Sequence, residues 1–153
     1  MKNLTKYIFA IFTILLFTAI KPAMAQNSQE FQPAKSKNKQ YYALYALNSG
    51  DEQKIAGTLR NIKNALEDPR LKGKLHIELI AFSGGVAVYD KKGPFKETLL
   101  DLKSRGVDLV QCENTIRERK IEKSSLYDFI NYVPSGNGEI ILRHYEGWAI
   151  VHP

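Results

Sequence analysis

Alternation constrains this chain more than any other feature: apolar runs of strand length are separated by segments whose apolar residues recur at helical spacing. The first run, Tyr41 to Leu47, is aromatic-rich and almost continuously apolar, as expected of a strand covered on both faces. After the break Asn48-Ser-Gly-Asp51, the residues Ile55, Leu59, Ile62 and Leu66 form one face of an amphipathic helix that Asp51 and Glu52 start and Pro69 ends. A second strand spans residues 74–82 and closes on Ser83-Gly84-Gly85, with residues 86–89 short and either helical or extended. Pro94 opens a helix carrying Phe95, Leu99 and Leu102, and Gly106 follows its last turn. The third strand, 107–112, ends in Cys112, and a charged helix is expected over 113–121. Residues 124–133 read as irregular or partly helical with Leu126, Phe129 and Ile130 turned inward, 134–138 as punctuation, 139–145 as a short helix, and 148–152 as a final strand.

Strands alternating with helices imply a parallel sheet with helices on both faces, and ligands in such sheets bind beyond the carboxyl ends of the strands. By that rule Asn48, Ser49 and Gly50, the turn at Gly84 and Gly85, and Cys112 with Asn114 should gather along one edge. The Gly-Gly pair lacks the spacing of a dinucleotide site or a P-loop, so it reads first as a turn and second as a ligand cradle.

The start of the chain has its own pattern. Residues 1–25 combine a basic beginning, an apolar run over 8–20 and the small-residue sequence Ala23-Met-Ala25, which predicts a secretion signal cleaved before Gln26. The run is shorter than the ~20 residues a spanning helix needs, and no cysteine stands at the cleavage site to take a lipid. A periplasmic or secreted protein without a stable membrane anchor is expected. Residues 26–39 read as a flexible leader and 40–153 as the folded domain. The net charge of +6 includes Lys2, Lys6 and Lys21 of the signal, and the later basic residues are interleaved with acids, so nucleic acid is not an expected partner.

Cys112 is the single cysteine, so no internal disulfide forms and the thiol is buried, reactive or intermolecular. It sits where a strand hands over to a helix, a place where backbone N–H groups favour an anion. Nearby Arg117 and Arg119 favour a thiolate and Glu113 opposes it. The competing reading is a small apolar residue that merely packs. Asn48, Ser49 and Asn114 are capping residues first and pocket residues second. His76, His144 and His152 show no metal-ligand spacing, so neither a metal nor a cofactor is expected.

Four segments, Leu47-Asn-Ser-Gly-Asp51, Val110-Gln-Cys-Glu-Asn-Thr115, Val133-Pro-Ser-Gly136 and Glu146-Gly-Trp-Ala-Ile-Val-His-Pro153, resemble in order and spacing the DsrE/DsrF-like family, named for intracellular sulfur oxidation. The resemblance covers residues 40–153. It implies a three-layer α/β/α domain with a mainly parallel five-stranded sheet, often a homo-oligomer such as a trimer. It also implies that a cysteine at the position of Cys112 accepts sulfur as a persulfide and passes it to a partner. Two functions are therefore carried forward. One is an exported sulfur-handling or thiol-redox protein acting through Cys112; the other is a non-catalytic ligand-binding or assembly domain in which Cys112 is structural.

Overall fold

The computed structural model describes residues 30–153; the predicted signal segment and the first residues of the leader lie outside them. The chain divides into two units, Met1–Ala34 and Lys35–Pro153. Residues 30–34 of the first carry no helix or strand, and everything that follows concerns the second.

Five strands, β1 (Tyr41–Leu47), β2 (Leu75–Ala81), β3 (Asp108–Cys112), β4 (Asn131–Val133) and β5 (Ala149–Val151), form one sheet in the order β4-β3-β2-β1-β5. Every neighbouring pair is parallel. The helices are α1 (Glu52–Glu67), α2 (Lys96–Ser104), α3 (Glu113–Glu118) and α4 (Gly136–Tyr145), with a 3-10 helix at Ser83–Tyr89 and a shorter one at Lys123–Ser125. Among the described residues no helix is long and apolar enough to cross a membrane.

Side-chain alternation along the strands divides the interior in two. Ala43, Tyr45 and Leu47 of β1 join Ile77, Leu79 and Ala81 of β2 in the larger core, where Ile55, Leu59 and Ile62 of α1 and Leu99 and Leu102 of α2 cover them. Leu44, Ala46, Ile80 and Val110 project to the opposite face, against Ile140 of α4 and Trp148. The result is the expected three-layer α/β/α architecture, with α1, α2 and, through Ile116, α3 on one face and α4 on the other. Tyr89 ties the larger core to the sheet, its buried hydroxyl donating to the Leu79 carbonyl at 3.0 Å and accepting from the Val110 N–H at 3.1 Å.

The α4 face also buries a charge. Glu78 of β2 is 1% exposed. Its Oε2 accepts from Nε and Nη2 of Arg143, both at 2.9 Å, while Oε1 has no protein partner. Arg143 also pairs with Glu139 and Glu146 and lies over the Trp148 ring, 4.3 Å from its centroid. Outside this anchor α4 leaves Ile141, Leu142 and Tyr145 exposed, beside the exposed Ile150 of the β5 edge.

Three elements differ from the sequence reading. Residues 83–89 form a 3-10 helix, so the Ser-Gly-Gly turn is its first turn rather than a loop preceding it. Strand β4 lies inside a stretch expected to be irregular; at three residues it is too short to show alternation. Helix α4 starts at Gly136 instead of residue 139, because Ser135 caps it by accepting from the Gly138 N–H at 3.1 Å.

Candidate functional site

Cys112 ends β3 and immediately precedes α3, and it is 6% exposed. Parallel pairing sets it beside Val133 of β4, which leads through Pro134 and Ser135 into α4. The sulfur is therefore flanked by the first turns of two helices. A Cβ on Gly136 would stand 3.0 Å from the Phe82 Cβ and 3.3 Å from the Cys112 Cβ, so glycine lets the start of α4 approach the thiol.

Burial pushes the Cys112 thiol up, but hydrogen bonding by the Thr115 and Gly136 N–H groups and by the Thr115 hydroxyl outweighs it, and the thiol lies below its ordinary pKa. Thr115 is 4% exposed, and its hydroxyl oxygen already accepts from the Ser83 N–H at 2.9 Å. That bond orients the hydroxyl, leaving its proton for the sulfur. Ser83 is held in a left-handed conformation with φ of 50°, so strain in the turn after β2 accompanies the placement of this donor. Beneath the site the Gln111 amide donates to the Cys112 carbonyl at 2.9 Å.

A cleft of about 320 Å³ opens over the sulfur, walled by Phe82, Ser83, Asn114, Arg119, Ser135 and Asn137 among others. Arg119 reaches across to the Ser83 hydroxyl at 3.4 Å. A thiol with a lowered pKa and an open side can act as a nucleophile or hold a transferred atom.

The residues expected along this edge are distributed unevenly. Cys112 and Asn114 share the cleft. The Asn114 backbone N–H donates to the Pro134 carbonyl at 3.3 Å, while its side-chain oxygen accepts from Arg117. Gly84 faces a neighbouring cleft and packs on the β1 loop, where a Cβ would come within 2.7 Å of the Gly50 nitrogen and 3.0 Å of the Asn48 carbonyl oxygen. Gly85 is buried, and a Cβ there would lie 2.0 Å from the Leu47 carbonyl oxygen. Asn48 and Ser49 do not line the Cys112 cleft; the Ser49 hydroxyl accepts from the Asp51 N–H at 3.2 Å in the turn that starts α1.

Sequence reasoning assigned no role to Thr115, Ser135 or Gly136. Their signal was a hydroxyl residue three positions after a strand-end cysteine, and a Ser-Gly pair at a helix start. Among the described residues no cluster of His, Cys, Asp and Glu could hold a metal ion. His144 makes an edge-on contact with Tyr145 near the end of α4 remote from Cys112.

No family model matches the chain, and no curated protein matches it. Solved structures do. The protein of unknown function MTH1491 from Methanobacterium thermoautotrophicum superposes with a TM-score of 0.70 at 29% identity, over 74% of this chain and 100% of that one. BT1422 from Bacteroides thetaiotaomicron, also of unknown function, gives 0.57 at 14% identity over 79% and 100%, and the ychN protein from E. coli gives 0.53 at 16% over 74% and 99%. These proteins share the fold. It is the α/β architecture that the DsrE/DsrF-like resemblance implies.

Proposed function

We propose that the protein is an exported, DsrE/DsrF-like sulfur carrier in which Cys112 is the acceptor. The observation that carries this reading is the placement of one thiol at the end of β3, between the first turns of α3 and α4 and in the wall of an open cleft, where the Thr115 hydroxyl and the N–H groups of Thr115 and Gly136 lower its pKa despite burial. A cysteine that only filled space would need no such donors.

The step is a sulfane transfer. The Cys112 thiolate attacks the outer sulfur of a persulfide RS–SH; the S–S bond breaks, RS⁻ leaves, and the transferred sulfur keeps its proton as Cys112–S–SH. An acceptor thiolate then attacks that outer sulfur and regenerates the Cys112 thiolate. The two electrons of each broken bond leave with the departing sulfur, so no external oxidant or reductant is required. The donors that favour Cys112 as an anion make it both a ready nucleophile and a good leaving group.

Export rests on the signal pattern in residues 1–25 and the polar leader that follows. A homo-oligomer belongs to the same proposal, and the exposed Ile141, Leu142, Tyr145 and Ile150 are the surface we assign to contact with a second copy.

The test is intact-mass analysis after exposure to a persulfide donor, together with alkylation of the folded protein across pH. The reading expects one added sulfur on the wild type, none on Cys112→Ser, and an alkylation midpoint below that of an ordinary thiol. A slow thiol with an ordinary midpoint and no sulfur uptake overturns it in favour of a ligand-binding or assembly domain with a structural cysteine.

A further inference from the structure

The Cys112 cleft does not end at Arg119. The Arg119 side chain also walls a second cleft of about 550 Å³, floored by Val86, Ala87, Ile121 and Leu126. That cleft shares Gly50, Ala87, Asp90 and Lys92 with a third of about 270 Å³ that reaches Phe95. The adjacent residues Ser83 and Gly84 divide between the first two, so a groove leads from the sulfur past Arg119 to Lys92 and Asp90.

Its charges are mixed, with Glu118 beside Arg119 in the first cleft and Glu52 in the third. Arg119 and Lys92 present cations, and neither belongs to an ion pair among the described residues. Asp90 and Glu122 present carboxylates in the same walls. Asp90 is fixed, its Oδ1 accepting from the Lys92 N–H at 2.8 Å. The neighbouring Lys91 is turned away to the Ser124 carbonyl at 3.0 Å. A polyanion such as a nucleotide would meet Asp90 and Glu122 unfavourably, and an uncharged thiol would leave both cations unused. A ligand that carries both signs, with carboxylates for the two cations and an ammonium group for the surrounding carboxylates, joined by an apolar or amide linker, can use both kinds of wall. The clefts lie in the size range of sites for small molecules.

We infer that the groove binds a small peptide thiol of zwitterionic character, whose persulfide sulfur reaches Cys112 while one carboxylate meets Arg119 and its amino-acid end meets Lys92 and Asp90. This identifies the substrate class of the transfer proposed above and rests on that reading for the chemistry, though not for the binding.

S-methylglutathione, which cannot transfer sulfur, separates the two. Titrated into the ¹⁵N-labelled chain, it should give saturable shifts at the amides of Ala87, Lys92 and Ile121. Lys92→Gln should weaken binding by about threefold, the worth of one exposed charge contact, and Arg119→Gln by at least as much. Lys91→Gln should bind as the wild type does. Absence of saturable binding, shifts confined to other surfaces, or equal affinities for the Lys92→Gln and Lys91→Gln variants overturns the inference.

A second arm compares sulfur loading of Cys112 by glutathione persulfide and by inorganic polysulfide. Faster loading by glutathione persulfide, with the advantage reduced in Lys92→Gln, supports the inference. Equal loading by both donors without groove binding overturns it and leaves the carrier reading standing. Groove binding with no loading by either donor overturns the carrier reading and the exchange step, leaving a peptide-binding groove.

Discussion

Replacing Thr115 by Val removes one oxygen and little volume, and it disturbs two partners at once. The hydroxyl accepts from the Ser83 N–H at 2.9 Å and donates to the Cys112 sulfur. A hydrogen bond to a charged group contributes about 1.5–3 kcal/mol, and 1.36 kcal/mol corresponds to one pKa unit. Because the N–H groups of Thr115 and Gly136 remain, the lower end applies, and the alkylation midpoint should rise toward that of an ordinary thiol. The midpoint of iodoacetamide alkylation against pH, checked by ultraviolet absorbance of the thiolate, reads this directly. Thr115→Ser keeps the hydroxyl and should keep the midpoint.

The same substitution leaves the Ser83 N–H without its acceptor, at a cost of about 1–2 kcal/mol at every pH. A second, pH-dependent loss adds to it. In the wild type the folded thiol lies below its ordinary value of 9.0, so its contribution to stability is full above that value and disappears as pH falls through the folded pKa. Denaturation should therefore show a larger difference between wild type and Thr115→Val near pH ~10 than near pH ~6. An alkylation midpoint that does not move, or a stability difference with no pH dependence, would refute the assignment of the hydroxyl proton to sulfur.

Gly85→Ala places a Cβ 2.0 Å from the Leu47 carbonyl oxygen, so urea denaturation should show a loss above ~3 kcal/mol or failure to fold. Arg143→Met leaves the carboxylate of Glu78 buried without its cation and should cost about 3–5 kcal/mol near neutrality, more than Glu78→Gln. Burial already raises the Glu78 pKa, a shift that favours the fold at low pH and loses that benefit as pH rises through the folded pKa. The Arg143→Met deficit should accordingly shrink as acid protonates Glu78, which thermal melts across pH would record. The double substitution Leu142→Glu with Tyr145→Glu should convert an assembly to smaller species in sedimentation velocity while leaving the circular dichroism spectrum unchanged.

Long-period features were legible in the sequence, and short cooperative ones were not. The spacing of Ile55, Leu59 and Ile62 required a helix, and the apolar run of β1 was identified to the residue. Strand β4 could not announce itself, since its place is set by pairing with Val110, Gln111 and Cys112 rather than by its own three residues. Cys112 was legible as a lone thiol at a strand end, and Asn114 as its neighbour. Asn48 and Ser49 also lie at a strand end, but β2 separates β1 from β3 in the sheet, and sequence order does not measure that width. The donors escaped notice because each comes from a different element: Thr115 from α3, Gly136 from α4, and the Ser83 N–H that orients Thr115 from the turn after β2.

The remoteness of the Glu78 anchor from the thiol gives it a place in the same account. Arg143 and Gly136 lie on one helix, seven positions or about 10 Å apart along its axis. A helix packed only through Ile140 and Trp148 could slide or rotate by small amounts at little cost, because dispersion contacts are not directional. The bond between Arg143 and Glu78 is directional and buried on the Glu78 side, so it fixes both the rotation and the axial position of α4 on the sheet. That position sets where the Gly136 N–H meets the sulfur. A buried carboxylate with one unpaired oxygen is a poor way to gain stability, since apolar residues of similar size would serve as well or better. It is a good way to hold a helix start in one place, and in this fold that helix start faces Cys112.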